Sequence, residues 1–315
     1  TVAAVGTMVI PSMLEKGYSK SFSLACVACA GCIGVIIPPS IPMVIYGVST
    51  STSISAMFLA GFAPGIIIGV VLCFVCYFYC KKQGWKGDDR KYTFKEKMKV
   101  VWDSKFALIE PVIILGGIYG GIFTPTEAAA VAAVYAFICG VFIFRELNFG
   151  NIYKTIAAAC STNGTTMVII GCATAFTRVL TIQQIPAMIT QAILNFSTNK
   201  VVILILINIL LLIVGCFMDT TPAMMVLSPI LLPVATSLGL SPIHFGIIMV
   251  VNLAIGFITP PLGINLFVAA RIGDVKLEVV CQGIIRFIIA MIVCLLAITF
   301  IPAISEFLPR LSGML

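Results

Sequence analysis

The sequence predicts an all-α polytopic membrane protein, built as two inverted repeats with broken helices and re-entrant hairpins. Three observations carry that prediction. Of the 315 residues, 60% are hydrophobic and only 10% are charged. A soluble domain is about 45–50% apolar and about 25% charged, so this chain cannot cover a core with polar surface. Long apolar runs such as Ile66–Tyr79, Val201–Phe217 and Ile284–Ile301 approach the roughly 20 residues of a bilayer-spanning helix. The alternating segments of about 10 residues that mark a membrane barrel do not occur. Finally, the chain is similar to itself at a shift of 222 residues.

That shift sets Pro11 on Pro233, Ser19 on Ser241, Gly34 on Gly256, Pro38 and Pro39 on Pro260 and Pro261, and Gly61 on Gly283. Glycine and proline are the informative matches, because they constrain backbone geometry and not merely hydrophobicity. In each copy a helical run (Phe22–Ile36, Phe245–Phe257) meets a Pro-Pro step that a regular helix cannot pass. A short second run follows (Ile41–Tyr46, Ile264–Ala270), and then a full apolar helix, Phe62–Cys80 or Ile284–Ile301.

Between the copies, nine of the 19 basic residues fall between Lys81 and Lys105, against Asp88, Asp89, Glu96 and Asp103. A basic loop between spans marks the cytoplasmic side. It reads as a plain solvated loop, with a lipid-headgroup or partner-helix surface as the alternative. The confinement of the net charge of +7 largely to one loop argues against nucleic acid as a partner. Three spans come next, roughly Phe106–Ile122, Ala128–Phe144 and Ile156–Arg178, with Thr181–Lys200 outside. Val201–Phe217 and Pro222–Ala235, broken at Met218-Asp-Thr-Thr-Pro222, read as a re-entrant hairpin. The first broken helix then starts near the cytoplasmic Glu15, Lys16 and Lys20, and the second delivers Arg271 and Lys276 to the cytoplasm. Opposite topology of this kind is what inverted-repeat secondary transporters show. The repeat divides the chain into 1–80, a connector at 81–105, and 106–315. It also predicts that a first hairpin arm and its companion spans, roughly 110–120 residues, precede Thr1.

Broken backbone at membrane depth is tolerated only where it is buried or lines a cavity. Freed carbonyls there can coordinate a small cation, and half-helix N-termini attract an anion. Asp219 is the acid that most needs explaining, since an ionised carboxylate at bilayer depth costs at least about 2.5–3.5 kcal/mol. Beside Thr220 and Thr221 at the hairpin tip, it fits cation coordination, capping of the following helix, or both. Thr124-Pro125-Thr126-Glu127 reads as a capping box, not as an acid catalyst. Glu110 and Pro111 fit the membrane interface, and Arg178 and Arg286 fit snorkelling at helix ends. His244 has no acid or nucleophile arranged beside it in the sequence. Cys26, Cys29 and Cys32, like Cys73, Cys76 and Cys80, read as small packing residues on helix faces, since no fourth ligand completes a cluster motif. Gly-x-x-x-Gly spacings at Gly61–Gly65, Gly116–Gly120 and Gly117–Gly121 read as packing signals. No Walker loop points to ATP, no catalytic set points to an intramembrane enzyme, and polar groups confined to the breaks disfavour a channel.

Five ordered motifs carry a resemblance: Pro11 to Gly17-Tyr18; Gly34-Val-Ile-Ile-Pro-Pro-Ser40 with Tyr46-Gly47; Gly120-Gly-Ile-Phe-Thr-Pro-Thr-Glu-Ala128; Met218-Asp-Thr-Thr-Pro222; and Gly256-Phe-Ile-Thr-Pro-Pro-Leu-Gly263. Over essentially its whole length the chain resembles the large membrane subunit of tripartite ATP-independent periplasmic (TRAP) transporters. The resemblance implies an elevator-type, sodium-driven carrier in the bacterial inner membrane. It further implies two partners, a small four-helix membrane subunit (sometimes fused ahead of the large one) and a periplasmic substrate-binding protein. The substrate it implies is a carboxylate such as a C4-dicarboxylate or sialic acid. By motif position, a first Na+ site would use carbonyls around Gly34, Ile37 and Pro39, with a hairpin-tip serine. A second would use Gly215, Gly256, Thr259 and Leu262. Ser40 and the tip Asp219, Thr220 and Thr221 are assigned to the substrate carboxylate or the waters around it. The nearest alternative is a sodium/carboxylate symporter of the same superfamily that needs no binding protein.

Overall fold

The computed structural model describes residues 1–87, 93–196 and 199–315, and every element among them is helical. Asp88, Asp89, Arg90 and Lys91 of the basic segment lie outside the described residues. Among the described residues, seven segments are long and apolar enough to cross a membrane: Lys20–Thr50, Ile54–Gln83, Pro125–Ile143, Gly150–Ile182, Lys200–Phe217, Thr220–Ser237 and Leu277–Phe300. The chain is an all-α polytopic membrane protein.

Packing divides it into two units, residues 1–87 with 173–315, and residues 88–172. The first begins with α1 (Val2–Glu15), closed by Gly17 at φ 80°. Ser19 then caps α2 (Lys20–Ile36) by accepting from Phe22 N at 3.3 Å. The Pro38-Pro39 step ends α2, and α3 (Ile41–Thr50) follows with proline in its first turn. Ser53 caps α4 (Ile54–Gln83), which stops at Gly84 with φ 73°.

In the second unit, the segment read as a solvated loop contains a helix, α5 (Phe94–Asp103). Thr93 and Glu96 close a capping box over it, a local signal that the charge count hid. Next come α6 (Lys105–Tyr119), α7 (Pro125–Ile138) with a π-helical turn at Cys139–Ile143, and α8 (Phe149–Ile182), whose last turns belong to the first unit. Thr124 and Glu127 form the expected capping box, with Thr124 N donating to Glu127 Oε2 at 2.8 Å.

The stretch expected simply to lie outside carries α9 (Ile185–Phe196), which packs on α11. The hairpin is α10 (Lys200–Phe217) and α11 (Thr220–Ser237). Then come α12 (Pro242–Gly256), α13 (Ile264–Gly273), α14 (Leu277–Phe300) and α15 (Ala303–Leu311). Lipid tails are as apolar as leucine, so dispersion and close backbone approach drive this packing more than release of water. Gly61 and Gly65 show it: on α4 they face Ile36, Ile37 and Met43 with no room for a side chain.

The repeat is visible in three dimensions. Ser241 caps α12 by accepting from His244 N at 3.2 Å, as Ser19 does for α2. The Pro38–Pro39 and Pro260–Pro261 peptide bonds are both cis. α2 packs on α13 and α14, and reciprocally α12 packs on α3 and α4. The Cys32 thiol donates to the Ala254 carbonyl at 3.1 Å, and 254 is the position that the 222-residue shift assigns to 32. An element touching its own counterpart, with reciprocal flanking contacts, defines a two-fold relation. Beyond the breaks the offset becomes 223, since α3 and α4 begin at 41 and 54 while α13 and α14 begin at 264 and 277, so Gly61, set on Gly283 by the ungapped shift, corresponds to Ile284 instead. One extra residue follows the second Pro-Pro pair: Leu262 and Gly263 precede Ile264, where Ser40 alone precedes Ile41.

Candidate functional site

The second break is best built from its prolines outward. In an α-helix the carbonyl of residue i accepts from the N–H of residue i+4, and proline has none to give. Pro260 therefore deprives Gly256, and Pro261 deprives Phe257. Gly256 O turns to Thr259 N at 3.1 Å, and Phe257 O to Asn265 N at 3.0 Å. Thr259 O accepts from Gly263 N at 3.2 Å, while its hydroxyl donates to Ile255 O at 2.8 Å. The backbone thus leaves the helix as a tight turn whose carbonyls aim in several directions. Leu262, at the outer edge of that turn, is exposed.

α10 crosses this break in backbone contact. A Cβ added at Gly256 would fall on the carbonyl group of Gly215, and one at Gly215 would stand 3.3 Å from the Cα atoms of Gly256 and Leu253. Cys216, next in the chain, donates its thiol back to Leu212 O at 3.0 Å. The structure therefore brings Gly215, Gly256 and Thr259 together, with Leu262 three residues on.

At the first break Pro38 removes the donor for Gly34 O and Pro39 the donor for Val35 O. Ile37 N closes the last turn on Ile33 O at 2.8 Å. Gly34 lies against Thr1, and Gly34 and Pro39 are exposed with Ile37 half-buried. Ser40 is 3% exposed, and its hydroxyl donates to Val35 O at 2.5 Å, replacing the N–H that Pro39 lacks. Placed this way, Ser40 terminates α2 with its hydroxyl proton already committed, and only its oxygen lone pairs remain for a substrate or water.

Asp219 is the N-cap of α11. Its carboxylate accepts from Thr220 N at 2.6 Å and from the Thr220 hydroxyl at 3.3 Å. The capping reading therefore holds for this residue, and Asp219 is exposed, not sunk in an apolar interior. Thr220 is buried and Thr221 half-buried. The tip lies within a few residues of Gly215, beside the second break.

Several polar residues went unremarked in the sequence. Asn208 on α10, Asn252 on α12 and Thr299 on α14 form a buried cluster one to two turns from the glycine crossing. Asn265 Nδ2 donates to Ala28 O at 3.1 Å, tying the second break to α2. The available signal was simple: an amide inside an apolar span must find a partner. His244 is fully buried, with Nδ1 at 2.6 Å from Ser305 Oγ. Cys29 and Cys32 are buried, and Cys26 meets Cys76 at 3.6 Å, so the two cysteine faces pack together. The Arg286 guanidinium lies over Tyr79 at 4.1 Å. Arg178 lines a cavity of about 570 Å³ with Ser49, Thr174, Thr177 and Thr181.

Residues 1–304 match the family model described as the DctM component of the tripartite ATP-independent periplasmic transporter. The chain is 50% identical over 307 residues to the isethionate TRAP transporter permease protein DctMQ of Oleidesulfovibrio alaskensis, covering 98% of this chain and 48% of that protein. It is 40% identical over 314 residues to the C4-dicarboxylate TRAP transporter large permease protein DctM of Pseudomonas aeruginosa, covering 100% and 73%. To the sialic acid TRAP transporter large permease protein SiaM of Vibrio cholerae it is 36% identical over 307 residues, covering 98% and 72%. The chain spans about half the length of the first of these relatives.

Proposed function

Because the chain belongs to the DctM family of tripartite ATP-independent periplasmic transporters, we propose that it forms the transporting part of a sodium-coupled importer of small organic anions. It is a multi-pass protein of the bacterial inner membrane. The observation that carries the reading is the paired breaks, the second crossed by a hairpin helix at Gly215 and Gly256. Backbone carbonyls released there by proline are suited to a small hard cation, which takes oxygen ligands. In this reading Gly215, Gly256, Thr259 and Leu262 hold one Na+, and Gly34, Ile37 and Pro39 contribute to another. Each Na+ would fix the direction of the carbonyls around it and order the adjacent hairpin tip. Thr220, Thr221 and the lone pairs of Ser40 would then face the substrate anion or its waters, while Asp219 holds the start of α11. Coupling follows if substrate binds the sodium-ordered tip more tightly, a reciprocal free-energy link. The core would cross the membrane as one body, as in an elevator. Its partners would be a small membrane subunit and a periplasmic binding protein that delivers the anion.

The substrate class has two readings. Carboxylates suit the C4-dicarboxylate and sialic acid relatives. A sulfonate is favoured by the higher identity to the isethionate protein. One experiment addresses both questions. Full-length protein, reconstituted with its binding protein, is assayed for uptake of labelled isethionate and succinate with sodium or choline outside. Uptake is expected to require sodium, and Thr259→Ala is expected to raise the half-saturating sodium concentration about tenfold, equal to about 1.4 kcal/mol. Undiminished uptake in choline, or wild-type sodium dependence in the folded variant, would overturn the sodium assignment.

A further inference from the structure

The glycine crossing is accompanied by a second, polar point of contact between the same two helices. Asn252 Nδ2 donates to Asn208 Oδ1 at 2.6 Å and to Ile248 O at 2.9 Å. Asn208 Nδ2 donates to Leu204 O at 2.9 Å and to Thr299 Oγ1 at 3.3 Å. All three residues are buried, at 0% exposure for Asn252, 3% for Asn208 and 2% for Thr299. Asn208 lies two turns before Gly215 on α10, and Asn252 one turn before Gly256 on α12. The helices touch backbone to backbone at the glycines, and the amide pair is a second contact between them further back along both.

Stability alone does not account for this cluster. Asn252 Oδ1 is buried with no hydrogen-bond partner among the described residues, and such an orphan costs about 1–3 kcal/mol. A matched apolar pair would fill the same space without it, as replacements of buried polar groups show elsewhere. What an apolar pair cannot supply is register. If α10 slid one turn along α12, the bond from Asn252 Nδ2 to Asn208 Oδ1 would break and leave Asn208 Oδ1 without that donor in a dry interior, while each amide kept its bond to the carbonyl four residues back; leucines would simply repack. A single buried asparagine pair fixes helix register in coiled coils by the same means.

We propose that Asn208, Asn252 and Thr299 are positioning residues that lock α10 to α12 and so hold Gly215 at the second break. Resting on the sodium reading above, the proposal assigns them the affinity of that site for sodium, more than the folding of the protein. Groups that orient ligands from outside a metal's own shell typically set 10–100-fold of its affinity.

The test uses the purified full-length permease and sodium alone. Its thermal midpoint is followed as NaCl replaces choline chloride at constant ionic strength. The wild type is expected to show a saturable, sodium-specific rise. N208L/N252L, which removes both amides without orphaning either, is expected to melt in choline within a few degrees of wild type. Its half-saturating sodium concentration is expected to rise about tenfold or more. T299V, which keeps the asparagine pair, is expected to shift it less and in the same direction. A folded N208L/N252L with the wild-type sodium midpoint overturns the proposal. Should that variant fail to fold, an unchanged sodium midpoint in T299V overturns it instead. A wild type stabilised equally by sodium and choline defeats the sodium reading itself, an outcome separate from the other two.

Discussion

A side chain at position 256 has nowhere to go, because its Cβ would occupy the space of Gly215's carbonyl group. Both neighbours are backbone, which cannot rotate aside as a flexible side chain can. Gly256→Ala is therefore expected to lower stability by about 1–3 kcal/mol or more. Gly215→Ala, whose Cβ meets its nearest atoms at 3.3 Å, is expected to cost less. Gly116→Ala supplies the control: nothing lies within 4 Å of the added atom on α6, and removing a helix-interior glycine is worth about 0.5–1 kcal/mol of gain. Thermal midpoints of the three variants in detergent check the ordering, and equal effects at 256 and 116 would refute it. At this scale the sequence was legible where residue type dictates backbone. Gly34, Gly256 and the two Pro-Pro steps announced the breaks because few other residues produce one. The pairing of Asn208 with Asn252 was illegible, since hydrophobic runs do not say which faces meet.

Elements with mixed faces are harder to read from sequence than continuous apolar runs. The segment at 81–105 reads by its charge sum as a solvated loop, with a lipid-headgroup or partner-helix surface as the alternative, and that sum hides the periodicity of Phe94, Met98, Val101 and Trp102. Those four recur at helical spacing and are all exposed along one side of α5. Lys95, Lys97 and Lys99 flank that stripe, and Lys105 lies over the Trp102 ring at 4.1 Å. An amphipathic helix with flanking lysines is built to lie in a membrane interface. In a Trp85→Phe background, Trp102 fluorescence is expected to be quenched by lipids brominated near the headgroup. The quenching is expected to weaken when Lys95, Lys97 and Lys99 become glutamine in anionic vesicles. Quenching by aqueous iodide alone would instead place α5 in solvent. Helix α9 escaped detection for a related reason, since its 12 residues are too few to read as a span. The long elements are more legible: α10 coincides with its apolar run to within one residue, while α4 and α14 cover theirs to within one residue but begin earlier, at Ile54 and Leu277 instead of Phe62 and Ile284.

For the molecule as a whole, the two-fold relation between α1–α4 and α11–α14 organises the first unit, and the matched glycines and prolines of the two breaks make it legible in the sequence. What the matches could not show is the extra residue of the second break, because an ungapped comparison absorbs one insertion within apolar helices. The last helix, α15, closes the unit through polar contacts. Ser241 donates to Glu306, and Arg310 donates to Glu306 at 2.7 Å. Burial opposes ionisation of Glu306, but these two hydrogen bonds and the nearby guanidinium outweigh it and hold the carboxyl below its usual range. A group whose folded value is depressed contributes stability above its unfolded value, about 4.3, and loses it as pH falls through the folded one. Acid unfolding below about pH 4.3 is therefore expected to shift upward and flatten in Glu306→Gln. Melting curves between pH 3 and pH 7 check this, and an unchanged acid limb would refute it.

Helix α12 is buried from Ile243 to Gly256. Its 15 residues span only about 22 Å, less than the roughly 30 Å of a hydrocarbon core. A helix facing lipid at that length would thin the bilayer or tilt its neighbours to relieve the mismatch. α12 owes nothing to the bilayer, because other helices, not acyl chains, surround it. Changes in membrane thickness are therefore expected to fall on the outer helices as tilt, leaving the break that α12 carries the same shape from one lipid composition to the next.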